Sequence, residues 1–139
     1  MEQGDAATRA ELAVRNLIAR VAHVADGGDL EESRELYTED AVWEFPGSAP
    51  RHGRDDILAD ARQRRAEGVT GPGSATRHVI TTLIVTVDDP AGTATADSYW
   101  LYYRDTTTAP VLSGIGQYHD TVRRDGGAWR IARRRISVG

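Results

Sequence analysis

The chain has no cysteine among its 139 residues, so disulfides, thiolate nucleophiles and cysteine-based zinc sites are excluded. No apolar run approaches the length needed to span a bilayer. The N-terminal stretch Met1-Glu2-Gln3-Gly4-Asp5 lacks the apolar core of a signal peptide, and the expected location is cytoplasmic. There is no basic excess either. Seventeen basic residues face 21 acidic ones, giving a formal charge of −4, which argues against a nucleic-acid partner whose phosphates would need a positive surface. The four histidines show no HxH or HExxH spacing, so no metal site is expected, and no cofactor motif is present. What remains is one domain over residues 1–139, with 40% hydrophobic and 27% charged residues, ordinary for a globular chain.

The apolar spacing of Leu12, Leu17, Ile18, Val21, Ala22 and Ala25 predicts an amphipathic helix over 6–25. Thr8 and Glu11 are placed as its capping box, and Gly27-Gly28 as its stop. Asp29 is placed to cap a short second helix over 30–37, and Ala41-Val42-Trp43-Glu44-Phe45 alternates as a short strand closed by Pro46. A third helix is expected over 57–67. Four strand-like segments follow, over 76–87, 93–104, 111–124 and 128–138, separated by short turns such as Asp125-Gly126-Gly127. Long strands joined by short loops predict an antiparallel meander. Helices followed by a run of strands predict an α+β fold, with the helices against one face of a curved sheet.

Two residues stand out. Asp26 closes the first helix, where an anion is mildly unfavourable against the helix dipole and wants a partner. His78 opens the β-branched run Thr76-Arg77-His78-Val79-Ile80-Thr81-Thr82. If helix end and strand start meet, a carboxylate and an imidazole form an acid/base pair. Singly, each has a plain reading as well: Asp26 as a solvated helix-end carboxylate, His78 as a structural histidine bonded to backbone. His23, one turn before Asp26, reads as a helix-surface position, with a place at the border of the same pocket as the alternative. His52 reads as a solvated loop position, and His119 points away from Tyr118 and Asp120 by strand alternation. Trp43, Tyr99 and Tyr118 are the candidate ligand-lining aromatics, the tyrosines as hydroxyl donors to a carbonyl or enolate oxygen. Arg130, Arg133, Arg134 and Arg135 read as a charge ladder on an exposed strand, with Asp120 a possible partner for one of them.

The segments Ala25-Asp26-Gly27-Gly28-Asp29, Tyr37-Thr38-Glu39-Asp40-Ala41-Val42-Trp43, Gly53-Arg54-Asp55-Asp56-Ile57, Thr76-Arg77-His78-Val79 and Gly116-Gln117-Tyr118-His119-Asp120, in this order, resemble the SnoaL-like group of the nuclear transport factor 2-like superfamily. So does Asp125-Gly126-Gly127-Ala128-Trp129-Arg130. The resemblance implies a cone: a bent sheet around a pocket, closed by the N-terminal helices, and a homodimer joined through the sheet. Scytalone dehydratases and dehydrochlorinases within that superfamily carry a carboxylate and a histidine at the positions of Asp26 and His78. This implies a cofactor-free lyase acting by dehydratase-type elimination on a small hydrophobic cyclic or polyketide-like molecule. An isomerase or cyclase using the same pair, or a non-catalytic binding or assembly module, is the alternative. The dehydrochlorinase pattern has Asn four residues after the histidine, where this chain has Thr82. Those relatives also extend further past the last strand, so a more open pocket, or one lidded by a partner subunit, is expected here.

Overall fold

The computed structural model describes residues 2–139, with side chains described from Gly4 onward. Helix α1 runs Glu2–Gly27, starting before the expected Ala6. Thr8, expected as the N-cap, lies inside the helix, and its Oγ1 donates to the Gly4 carbonyl at 2.9 Å, the back-bonding a mid-helix threonine makes. The buried stripe is Ala10, Val14, Leu17, Ile18, Val21 and Val24. Leu12, expected on that face, is 56% exposed, because two residues' separation turns it about 200° from Ala10. The helix ends where Gly28 N–H donates to the carbonyls of His23 and Val24, both at 3.2 Å. A Cβ at Gly28 would lie 2.9 Å from the Val24 Cα, so only glycine fits this close turn.

Asp29 accepts a hydrogen bond from Glu31 N–H at 3.0 Å and caps a single 3-10 turn, Leu30–Glu32. Helix α2 follows as Ser33–Leu36. Strand β1, Tyr37–Glu44, begins four residues before the expected Ala41. A two-residue strand β2, Arg51–His52, and helix α3, Arg54–Ala66, come next. The long strands are β3 Arg77–Asp88, β4 Thr93–Arg104, β5 Val111–Asp125 and β6 Ala128–Val138. They pair as the antiparallel meander that their short turns predict. The sheet order is β2-β1-β6-β5-β4-β3, and β1 lies parallel to β6, so the curved, unclosed sheet is mixed.

Two irregularities decide which side chains face inward. In β3, Thr81 pairs with Tyr99 but Ile84 with Asp97, so one extra residue is accommodated at Thr82, whose φ is +53°. The bulge moves the inward set from His78 and Ile80 to Leu83, Val85 and Val87, keeping both halves apolar on the concave side. In β6, Thr121 pairs with Arg133 but Val122 with Ile131. The resulting step lets Ile131 and Ile136, five residues apart, both face the core.

Helix α1 covers part of the concave face. Val14, Leu17, Ile18 and Val21 pack there with Val85, Ala94, Ala96, Val122 and Ile131. Among the described residues no helix is long and apolar enough to cross a membrane.

Candidate active site

The helix stop and the start of β3 bring Asp26 and His78 together. The Asp26 carboxylate takes the His78 backbone N–H on Oδ2 at 3.0 Å and meets the ring Nδ1 with Oδ1 at 2.7 Å. Because an ionised carboxylate only accepts, Nδ1 is the donor in this contact, and in the neutral ring that leaves the lone pair on Nε2. Both side chains are largely shielded, 19% and 16% exposed. Two further contacts steady the arrangement. The Tyr102 ring lies 5.2 Å from the imidazole, with its hydroxyl donating to the Val69 carbonyl at 2.5 Å. Arg65 from α3 donates to the carbonyl of Val24 in the last turn of α1 at 2.7 Å and to that of Gly28, just past the helix, at 2.8 Å, placing a cation where the helix dipole is negative. Gly71, at φ +89°, packs so closely on Arg65 that a Cβ there would be 2.8 Å from its side chain.

His78 lines a cavity of about 500 Å³ on the concave side, beyond the end of α1. Its apolar wall is built from Trp43, Phe45, Trp100, Tyr118 and Ile136. Trp43 and Phe45 share a strand face, as their alternation predicts, and stack at 5.9 Å. Phe45, Val69 and Val138, all exposed, stand in the wall at its open side. A smaller recess of about 70 Å³ adjoins it, bordered by His78, Tyr37, Tyr118 and Arg64. Gly114 and Gly116 leave room for the Trp100 indole, since a Cβ on Gly116 would lie 2.4 Å from that ring and 2.0 Å from the Ser137 carbonyl.

Tyr99, expected in the pocket, lies on the outer face, 44% exposed. It sits one residue out of step with the inward set of β4, which is Ala94, Ala96, Ser98, Trp100 and Tyr102. Trp100 and Tyr102 line the cavity in its place. Thr82 is exposed at the bulge, away from the site. Tyr118 does face the cavity. Burial pushes its phenol pKa up, against the opposing pull of Arg134, so it stays a neutral donor. Tyr37 is raised in the same way by burial.

The arginine ladder of β6 is not uniformly exposed. Arg134 is 4% and Asp120 2% exposed, and they form a bidentate pair at 2.8 and 2.9 Å. The β6 step turns Arg134 inward, and the five-residue spacing of Ile131 and Ile136 is the sequence signal for it. Its guanidinium lies 3.8 Å from the Tyr118 ring centre. Burial disfavours the Arg134 cation, but the Asp120 carboxylate together with the Tyr37 and Tyr118 oxygens outweighs it and the net pKa moves upward. On the outer face His119 Nδ1 meets Asp97 Oδ1 at 2.5 Å. His23 and His52 are exposed. Among the described residues no group of three or more His, Cys, Asp or Glu is placed to hold a metal ion.

The fold has counterparts among known proteins. An NTF2-like protein with a cystatin-like fold from Novosphingobium aromaticivorans is 30% identical, with 91% of this chain and 79% of that one aligned at a TM-score of 0.75. A protein of unknown function from Mycobacterium tuberculosis is 28% identical over 92% of this chain and 75% of that one, also at 0.75. A scytalone dehydratase candidate from N. aromaticivorans, 22% identical over 98% of this chain and 88% of its own, shares the fold at 0.72. The profile of the SnoaL-like domain matches residues 6–135. With nearly its whole length matched, the chain belongs to the SnoaL-like domain family.

Proposed function

We propose that this protein is a lyase that eliminates water from a small hydrophobic cyclic or polyketide-like molecule, with His78 as the base and Asp26 as its positioning partner. The observation that carries this reading is the 2.7 Å contact between Asp26 Oδ1 and His78 Nδ1 at the wall of an aromatic-lined cavity. With Nδ1–H committed to the carboxylate, Nε2 takes a proton from the carbon beside a substrate carbonyl. The electron pair released forms the carbon–carbon double bond as the adjacent C–O bond breaks. The departing hydroxyl takes the proton back from Nε2–H and leaves as water, so the imidazole ends as it began. Asp26 remains ionised and stabilises the transient imidazolium, the role a carboxylate plays beside a histidine base. Such general acid–base help is worth about 10²–10⁴-fold. Tyr118 supports the reading as a neutral phenol able to donate to the substrate's developing enolate oxygen. The chemistry calls for no metal or organic cofactor.

The test is turnover of a panel of cyclic β-hydroxy ketones by the wild type, Asp26→Asn and His78→Ala. Water loss by the wild type, abolished in His78→Ala and strongly slowed in Asp26→Asn, is the expected result. Equal rates in all three would overturn the assignment. Exchange of the α-hydrogen with solvent deuterium without loss of water would instead favour an isomerase or cyclase working through the same pair. We further propose a homodimer joined through the outer sheet face, where Val79, Ile84, Tyr99 and Ile115 are 39–64% exposed. Sedimentation at micromolar concentration is expected to give twice the chain mass, and a monomer would remove the interface.

A further inference from the structure

The cavity wall beside Trp43 carries a charge imbalance that the elimination reading does not use. Arg51, Asp60 and Arg64 all line it, two cations around one carboxylate. Arg51 is fully committed. Its Nε and Nη2 donate to Asp60 Oδ1 at 3.1 and 2.9 Å, and its Nη1 donates to the Ala49 carbonyl at 2.6 Å. Arg64 is held more loosely. Nη1 reaches Asp60 Oδ2 only at 3.3 Å, and Nη2 has no hydrogen-bond partner among the described residues. Its guanidinium lies over the Trp43 ring, 5.0 Å from the centroid, with the side chain one-third exposed (33%). Arg64 also borders the smaller recess, together with His78 and Tyr118.

A one-third-exposed guanidinium over an aromatic ring, with Nη2 unpartnered and Nη1 weakly held, presents two N–H donors, the fork that a carboxylate fits; its Nε is buried without a hydrogen-bond partner. No second acidic side chain lines the cavity to compete for it. The contact with Trp43 holds the guanidinium in place before any ligand arrives, which lowers the ordering cost of binding. The remaining wall is aromatic and aliphatic. We propose that the cavity selects a flat, largely apolar molecule bearing a carboxylate, with Arg64 as the carboxylate-reading residue and Trp43 and Trp100 against the apolar body. This rests on the proposed use of the cavity as the ligand site, but not on elimination taking place there.

A matched probe pair tests it: 2-naphthoate and its neutral isostere 2-naphthamide, titrated calorimetrically at low salt into wild type, Arg64→Gln and His78→Ala. The wild type is expected to bind naphthoate at least about tenfold more tightly, the worth of a charge-assisted pair at a shielded site. That preference is expected to fall to within about twofold in Arg64→Gln and to survive in His78→Ala. Asp60 keeps Arg51 in Arg64→Gln, so the substitution strands no carboxylate. Equal binding of the two probes by the wild type, failure of both to bind at millimolar concentration, or a preference that persists in Arg64→Gln would overturn the assignment. Loss of the preference in His78→Ala would overturn it too, by putting the anion at the dyad. A measurement on the wild type alone covers the case of a variant that does not fold. Naphthoate, and not naphthamide, is expected to protect Arg64 from modification by phenylglyoxal, and equal modification in both would refute the proposal. Carboxylate preference without turnover of any hydroxy ketone would sink the lyase reading alone. Turnover of neutral substrates without carboxylate preference would sink this one alone.

Discussion

Ala96 and Trp100 lie four residues apart on the same inner face of β4, yet they stand in opposite surroundings. Ala96 is fully buried beneath α1, with Val14, Leu17 and Ile18 in the same packed cluster. Trp100 belongs to a second small cluster with Tyr118 and Ile136 and forms the wall of an open cavity. Where the helix covers the sheet, the inner residues are small and the gap is filled by aliphatic side chains. Past Gly27 α1 no longer fills the space, and large aromatics line it with Asp60 and Arg64 of α3. Asp26 and His78 stand on that boundary, where a carboxylate can be shielded by a helix end while an imidazole still reaches the open space. One end of the sheet is packed, and the other holds an open, aromatic-lined cavity.

Substitutions at the two ends sharpen that contrast. The largest effect is expected at the polar anchor of the cavity end. Arg134→Met strands the fully buried Asp120 carboxylate and is expected to cost about 3–5 kcal/mol in urea unfolding. Removing both charges in an Arg134→Met, Asp120→Leu double variant is expected to recover much of that loss. At the filled end, Ile18→Ala is expected to cost about 2–5 kcal/mol, since the side chain is 1% exposed and its loss leaves a void. Trp43→Ala, facing open space, is expected to cost less than half as much despite removing a larger side chain. Equal costs would erase the distinction between packed and open ends.

The fold was largely legible in the sequence, and the reasons are local. Gly27-Gly28 stops α1, the β-branched run after His78 starts β3, and Asp125-Gly126-Gly127 turns β5 into β6. Asp26 and His78 were readable because each sits at such a punctuation point. The direction of side chains was harder to read. Strand alternation gives two sets of residues but not which set faces the helix, and a bulge exchanges them midway. This is why Tyr99 falls outside and Trp100 inside, and why Arg134 is buried between the exposed Arg133 and Arg135. The parallel pairing of β1 with β6 depends on residues some 90 positions apart, which no local pattern reports.

A smaller effect comes from pH. Burial raises the pKa of Tyr37 and Tyr118 in the folded chain, while in the unfolded chain both return to about 10. Above about pH 10 the unfolded state sheds these protons while the folded state retains them. The unfolded state then binds fewer protons, so stability must fall as pH rises. Tyr118→Phe is expected to flatten that decline when urea midpoints are compared between pH 8 and pH 11, and an unchanged slope would show that the phenol is not shielded. The smallest stability effects are expected at the boundary itself. Arg65→Gln, which loses the cation on the last carbonyls of α1, is expected to cost about 1 kcal/mol. His78→Ala is expected to cost no more than about 1–2 kcal/mol while removing activity. A collapse of the fold in His78→Ala would make it a core residue.

The most direct measurement is the protonation of the His78 ring by nitrogen-15 NMR at neutral pH. A catalytic pair at the boundary requires a proton on Nδ1, shifted downfield by the Asp26 carboxylate, and a bare Nε2 whose resonance moves when a cyclic ketone is added. A proton on Nε2, or an Nε2 signal that no ligand in the cavity perturbs, would contradict it.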